Sequence, residues 1–305
     1  MARDSEEFSL IDWIRQRVSG ADWLERGIGD DAAVAKLDSN AVLATDMLME
    51  GTHFRFPDAT PSQAGRKALA VNLSDMAAMA AQPKAALISI AIPRNRDREF
   101  AESVLQGIMA LADEFGVKVI GGDTNSWDGP LVVNVAVVGE VVSTPVYRSG
   151  AVEGDWILTT GCFGGSIANH HLNFQPRVSE ALVLNELFDL HSMIDVSDGL
   201  AADLYHILDE SHVGAVVDAV TIPIRDSVNA KGSRTSLNHA LGDGEDFELL
   251  FTLSPVDGER LLANPPFETP ITKIGDIVGE DQRVLKMDGK EVPLPRTGWE
   301  HSFGE

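Results

Sequence analysis

Val117-Lys-Val-Ile-Gly-Gly-Asp-Thr124 reads as a short apolar strand that runs into a glycine turn and ends on a carboxylate. Before it, Arg98 to Phe115 carries the spacing of an amphipathic helix; after it, Leu131 to Val142 is a long strand. A helix, a strand and a second strand in this order imply a mixed α and β layer rather than an all-helical bundle or a sandwich. Further upstream, Ala85 to Ile92 is a strand. Pro61 to Ala81 is a long helix, with Ala68, Val71, Leu73, Met76 and Met79 at helical spacing. Ala41 to Thr45 is a strand that ends on Asp46, and it follows the loop Gly27-Ile-Gly-Asp-Asp31. Glu7 to Arg17 is an amphipathic helix whose apolar positions are Phe8, Ile11, Trp13 and Ile14.

Pro145, Gly150 and Gly154 interrupt the pattern and put a domain boundary near 143 and 144, giving domains 1–143 and 144–305. The second half reads as a strand Asp155 to Thr160, the turn Gly161-Cys-Phe-Gly-Gly-Ser166 and a helix Val178 to Leu190. A second helix starts at Ser197-Asp198 and reaches Glu210, with Leu200, Leu204, Ile207 and Leu208 on one face; strands follow at Ala215 to Val220 and Phe247 to Leu253.

At 305 residues the chain is long enough for two cores, and 44% hydrophobic with 23% charged residues is a globular composition. The formal charge of −23, from 47 acidic and 24 basic residues, excludes nucleic acid and anionic membrane as expected partners, since those need basic patches. The longest apolar runs, Leu131 to Val138 and Ala85 to Ile92, are too short to span a bilayer, and the acidic start Met1-Ala-Arg-Asp-Ser-Glu-Glu7 lacks a signal-peptide pattern. A single cysteine, Cys162, allows no internal disulfide and no cysteine metal site, so a cytoplasmic protein is expected.

Most of the acids are solvated surface, but several lie in short clusters between apolar segments: Asp30-Asp31, Asp46 with His53, Asn72-Leu-Ser-Asp75, Asp123, Asp195-Val-Ser-Asp198 and Gly244-Glu-Asp-Phe-Glu248. Singly, each has an ordinary reading as a turn, a loop ending or a helix cap at Ser197 or Asp198. Asn72 and Asp75 are three apart on an otherwise apolar helix, where polar groups need buried partners. Together, carboxylates converging on one place would repel unless a cation lay between them. An all-oxygen ligand set suits magnesium, which binds through a few carboxylates plus substrate phosphates. No P-loop, dinucleotide fingerprint, protein-kinase signature or H-E-x-x-H occurs. The turn 161–166 could offer backbone N–H groups to a phosphate, a weak signal.

In order, Gly27-Ile-Gly-Asp-Asp-Ala-Ala33, Thr45-Asp46, Glu50-Gly-Thr-His-Phe54, Ala70-Val-Asn-Leu-Ser-Asp75, Gly121-Gly-Asp-Thr124, Arg148-Ser-Gly-Ala151, Asp195-Val-Ser-Asp-Gly-Leu200 and Gly244-Glu-Asp-Phe-Glu-Leu249 resemble the thiamine-monophosphate kinase family. That family belongs to the superfamily of aminoimidazole ribonucleotide synthetase, and the resemblance runs to Gly298-Trp299-Glu-His301. It implies an α+β, two-domain aminoimidazole ribonucleotide synthetase-like fold, with an N-terminal mixed sheet plus helices and a C-terminal α/β sandwich, paired into a homodimer. It implies direct phosphoryl transfer from ATP to thiamine monophosphate, giving thiamine diphosphate. By the same resemblance, Asp31, Thr45, Asp46, Asp75, Asp123 and Asp195 would hold several Mg²⁺ ions, with Asp198 on a further one. Asp31, Asp46, Asp75 and Asp123 would form the catalytic set. Gly122, Asp123, Arg148 and Ser197 would face ATP; His53, Glu245 and Trp299 would face thiamine monophosphate. Ala44 stands where a hydroxyl residue is common in the family, and Asn169 and Asp243 where glycine is usual; the stretch before His170 looks shortened. The alternatives are another ATP- and magnesium-dependent enzyme of the superfamily acting on a different phosphorylated small molecule, or an inactive nucleotide- or metal-binding scaffold.

Overall fold

In the computed structural model the described residues are 13–14, 16–17, 20–26, 34–228 and 234–299. Within the expected helix from Glu7 to Arg17 only Trp13 and Ile14 are described as helical, and Gly27 to Asp31 lies outside the described residues. The chain divides into two compact units, 1–76 with 81–141, and 77–80 with 142–305.

The first unit is built on a four-stranded sheet. Besides a small pair, β1 (Leu24–Arg26) and β2 (Val34–Ala35), it has β3 (Ala41–Met49), β4 (Ala81–Pro93), β5 (Lys118–Trp127) and β6 (Val132–Val141). Their order is β3-β6-β4-β5, with β4 and β5 parallel and the other pairs antiparallel. Two of these strands outrun the sequence reading. Asp46 lies inside β3 rather than at its end, because β6 offers partners from Glu140 down to Val132. Gly121 to Thr124 is strand rather than turn, because β4 pairs with it as far as Trp127 after a bulge at Leu87.

Among the described residues, the long helices accompanying this sheet are α1 (Pro61–Ala78) and α2 (Arg98–Phe115). The bounds of α2 match the sequence reading because both ends are chemically marked. The Asp97 side chain accepts the Phe100 N–H, and Gly116, at φ 68°, donates its N–H to Ala112 and Asp113 carbonyls. The helices cross on two glycines: a Cβ at Gly65 would collide with the Val104 carbonyl, and one at Gly107 with the Ser62 carbonyl. Such a close approach leaves α1 enclosed, with Ala64, Ala68, Leu69, Leu73 and Met76 at 0–1% exposure.

The second unit centres on a seven-stranded sheet. Its strands are β7 (Trp156–Thr160), β8 (Leu190–Asp195), β9 (Gly214–Asp218), β10 (Leu249–Leu253), β11 (Ile271–Val278), β12 (Arg283–Met287) and β13 (Lys290–Pro293), in the order β13-β12-β9-β11-β7-β10-β8. Only β12 and β9 run parallel. Its helices are α3 (His170–Asn173), α4 (Val178–Leu187), α5 (Leu200–Ser211), α6 (Ser236–Gly242) and α7 (Pro255–Ala263). The fold is α+β. The α5 stripe of Leu200, Leu204, Ile207 and Leu208 buries against Ile157, Ile194, Val217 and Ile277 of the sheet, together with Phe163 and Leu285. Among the described residues, no helix is long and apolar enough to cross a membrane.

Candidate functional site

In the first unit the structure brings Asp46 and Asp75 together: strand β3 and helix α1 place their carboxyl groups in hydrogen-bond contact. Burial raises the Asp46 carboxyl above its ordinary value, against the lowering effects of Asp75 and of nearby His53. Two carboxyl groups can share a hydrogen bond only with a proton between them, and a cation can take that proton's place. Asn72, one turn earlier on α1, is fully buried; its Nδ2 donates to the Ala68 carbonyl, and its Oδ1 has no partner among the described residues.

His53 stands beside this pair with its orientation fixed from two sides. Its Nδ1 accepts the Met49 N–H at 3.0 Å, so the neutral ring carries its proton on Nε2. The fully buried Lys67 donates from Nζ to the His53 carbonyl at 2.7 Å. Neither of these supports was visible in the sequence, since Lys67 lies on an apolar helix 14 residues away.

Strand alternation separates two other expected ligands from this pair. Thr45 points to the opposite face from Asp46, where its hydroxyl hydrogen-bonds to Asn134 Oδ1 and the Val135 carbonyl. Asp123 pairs in register with Ser89, and through it with Asn134 and Met47. It therefore shares that open face with Thr45, about 14 Å along the sheet from β3 at ~4.8 Å per strand. Asp123 accepts a hydrogen bond from Asn125 Nδ2 at 2.8 Å. The neighbouring Gly122 has a packing reason to be glycine: at φ 154° its Cβ would strike the Ile88 carbonyl of β4. Asp31 lies outside the described residues.

In the second unit, Ser197-Asp198 is the hub. The Glu245 N–H donates to the Ser197 carbonyl at 2.7 Å, and the Trp299 N–H to the Asp198 carbonyl at 2.9 Å. Two residues far apart in sequence, both expected to face substrate, thus hang from adjacent peptide groups. Trp299 keeps 54% of its surface exposed. Asp195 is buried at the end of β8, and Asp198, Asp203 and His206 bring ligand atoms within 4.8 Å of one another.

Asp203 and His206 were not singled out from the sequence. Asp203 sits beside Leu200, Leu204 and Ile207 on the buried stripe of α5, and a charge at that position was the available signal. Its Oδ2 accepts the N–H groups of Asp198 and Gly199 at 3.0 Å each. The expected cap at Ser197 or Asp198 is corrected by this contact: the N-cap is Gly199, and the carboxylate of the first turn serves the free N–H groups. Burial, and then the charges of Asp195 and Asp198, raise the Asp203 carboxyl well above its ordinary value, against those two donors. The cluster has the electrostatics of a site short of positive charge.

The glycine turn 161–166 is already committed within the protein. Gly164 N–H donates to both Asp246 oxygens at 3.0 and 3.1 Å, and Gly165 N–H to Asp243 Oδ2 at 2.8 Å. Asp243, where the family pattern has glycine, also meets Arg234 and His239 at 2.9 and 3.0 Å. Burial pushes the Asp246 carboxyl up to about 6, although Arg225 lies 2.8 Å away and works against the shift. Arg148 is exposed, and its loop is held by Ser211 Oγ, which accepts from Gly150 and Ala151 N–H and donates to the Arg148 carbonyl.

A family model described as AIR synthase related protein, N-terminal domain, matches residues 29–141. The thiamine-monophosphate kinase of Rhodopirellula baltica is 37% identical over 285 residues, covering 90% of each chain. Among solved structures, the crystal structure of thiamine-monophosphate kinase from Stenotrophomonas maltophilia aligns with a TM-score of 0.80 at 34% identity, over 94% of this chain and 98% of that one. A structure described as AaThiL complexed with AMPPCP and TMP aligns with a TM-score of 0.75 at 28% identity, over 97% of both chains.

Proposed function

The chain belongs to the thiamine-monophosphate kinase family, and from that premise we propose that it transfers the γ-phosphoryl group of ATP to the phosphate of thiamine monophosphate, giving ADP and thiamine diphosphate. The contact between the Asp46 and Asp75 carboxyl groups carries the reading. It is an all-oxygen donor pair from two different elements, and it fits Mg²⁺ by ligand chemistry. In the second unit Asp195 and Asp198 supply a further all-oxygen set. Gly122, Asp123, Arg148 and Ser197 are the residues assigned to the nucleotide in this reading. Bound magnesium would supply neutralisation of the phosphate charge.

The remaining work is positioning. His53 offers Nε2–H as a donor in a fixed direction. Glu245 offers a negative charge to the cationic thiamine, and the exposed Trp299 ring a stacking surface. Such chemistry belongs in the cytoplasm, where ATP and Mg²⁺ are present. Purified protein with Mg-ATP and thiamine monophosphate should yield ADP and thiamine diphosphate in equal amounts, and no product after chelation by EDTA. Turnover only with some other phosphorylated acceptor would overturn the substrate while leaving the metal reading in place.

The same reading includes a homodimer through the open face of the first sheet. Leu43, Met47 and Met49 on β3 are 72%, 54% and 37% exposed, and Leu87 on β4 shares their face at 38%. Apolar side chains so concentrated on one sheet face mark an association surface. Sedimentation should give twice the chain mass, and Leu43→Glu with Met47→Glu should give the single-chain mass. A wild-type monomer at micromolar concentration would refute the pairing.

A further inference from the structure

The segment that leads from the glycine turn to α4 follows a stretch that looks short for the family, yet it grips the site residue by residue. It opens at Asn169, whose φ of 90° is the left-handed conformation that asparagine tolerates better than most residues, so the usual glycine is replaced at small cost. Then α3 and the residue after it present three contacts to the irregular run 245–247. His171 Nδ1 lies 3.0 Å from Glu245 Oε2, His170 Nε2 lies 3.2 Å from the Asp246 carbonyl, and Phe174 stacks on Phe247 with ring centroids 4.1 Å apart. His171 is itself buried, at 7% exposure.

The run it grips is strained. Glu245 and Phe247 sit at φ 54° and 53°, in the left-handed region where non-glycine residues persist only if their surroundings hold them. Glu245 is held on its backbone side by its N–H to Ser197 and on its side-chain side by the His171 ring. A carboxylate on a left-handed residue has several competing rotamers, and a buried ring donor selects one of them.

We propose that His171 is a positioning residue for thiamine monophosphate: by donating from Nδ1 to Glu245, it aims that carboxylate at the thiamine end of the substrate and so sets affinity for the acceptor rather than for ATP. The proposal rests on the assignment of Glu245 to the substrate made above. It assigns His171 no contact with the reacting phosphates.

Asparagine and glutamine at position 171 separate this role from packing, because the asparagine amide superimposes its donor on Nδ1 and glutamine places its donor near Nε2. With His171→Ala the KM for thiamine monophosphate should rise about tenfold while the KM for ATP stays within about twofold, the pattern of lost substrate binding without loss of the nucleotide site. His171→Asn should restore the KM to within about threefold of wild type, and His171→Gln should resemble alanine. The two amide variants keep the comparison alive if alanine does not fold. Equal behaviour of the asparagine and glutamine variants, or equal rises in both KM values, would overturn the proposal. Glu245→Gln tells its failure from that of the premise. If Glu245→Gln raises the KM for thiamine monophosphate and His171→Ala does not, only the role of His171 is lost. If Glu245→Gln leaves that KM unchanged, the substrate assignment of Glu245 and the role of His171 fail together. When both raise it, the double variant should be no worse than Glu245→Gln alone, as expected for residues acting through one contact.

Discussion

Asp75→Ala is expected to lower kcat by about a thousandfold or more, the scale on which removing a preorganised electrostatic group acts, without lowering the stability of the magnesium-free protein. The two halves of that expectation come from the same contact. Asp75 meets Asp46, whose carboxyl is already raised by burial, so the metal-free protein holds two acidic groups in a place that disfavours their charge. Removing Asp75 takes away one of these acidic groups together with the hydrogen bond it shares with Asp46, so the Tm without metal should stay nearly level. With Mg²⁺ the two proteins should diverge. A ligand that binds only the folded state adds stability in proportion to the logarithm of its concentration over Kd, so wild type should gain Tm as Mg²⁺ is added and Asp75→Ala should gain much less. Calorimetry with and without Mg²⁺, beside steady-state assays, reads both effects. A variant with near-normal turnover would remove the Asp46–Asp75 pair from the mechanism.

The identity of these carboxylates was legible in the sequence, but their mutual arrangement was not. Asn72 and Asp75 stand out because polar residues on an apolar helix demand partners; on α1 Asn72 is fully buried and Asp75 half-buried. That the partner of Asp75 is Asp46, 29 positions upstream, depends on β3 lying against α1, which no local pattern encodes. Strand ends depend on the neighbouring strand more than on local pattern. Glycines at 121 and 122 signal a turn when read alone, but in the presence of β4 they are bulge and close-approach positions inside a strand. This difference of a few residues matters chemically, since continuing the strand fixes which face Asp123 presents. Thr45 and Asp46 are adjacent in sequence, but the two-residue period of β3 sends their side chains to opposite faces.

The second unit shows the same limit. The helix reading from Val178 to Leu190 stops at Leu187, and Leu190 opens the strand β8, which carries Asp195. Leu190-His-Ser-Met-Ile-Asp195 is too short and too apolar for periodicity to tell helix from strand; its pairing with β10 decides. Helix α5 was legible through its apolar stripe, yet the same stripe concealed Asp203. A position that looked like core holds the residue that ties Asp198 and Gly199 in place.

Arg177→Ala should destabilise the protein by about 3–5 kcal/mol, the range for removing one partner of a buried ion pair. Arg177 approaches Glu248 through two parallel contacts, Nε to Oε2 and Nη2 to Oε1, each 2.7 Å, and Glu248 is 3% exposed. Burial works to lower the Arg177 pKa, but the hydrogen bonds and charge of Glu248 overcome it and hold the guanidinium above its ordinary value. Nη1 extends the network to Glu180 and Thr269, and Thr160 Oγ1 adds a donor to Glu248 at 2.7 Å. Alanine would leave the Glu248 charge buried with the Thr160 hydroxyl as its remaining donor among those contacts, which is far too little to offset the loss of solvation. Urea denaturation at neutral pH measures the loss, and a change below about 1 kcal/mol would mean that Glu248 is better solvated than its burial implies. The location of the pair gives the substitution a second consequence. Glu248 lies against Gly161, where no Cβ would fit, and Arg177 ends the segment that began at Asn169. One ion pair therefore anchors both the start of the glycine turn and the far end of the segment carrying His171. A protein weakened at Arg177 should lose affinity for thiamine monophosphate before it loses its fold, because the strained turn at Glu245 depends on that segment staying docked.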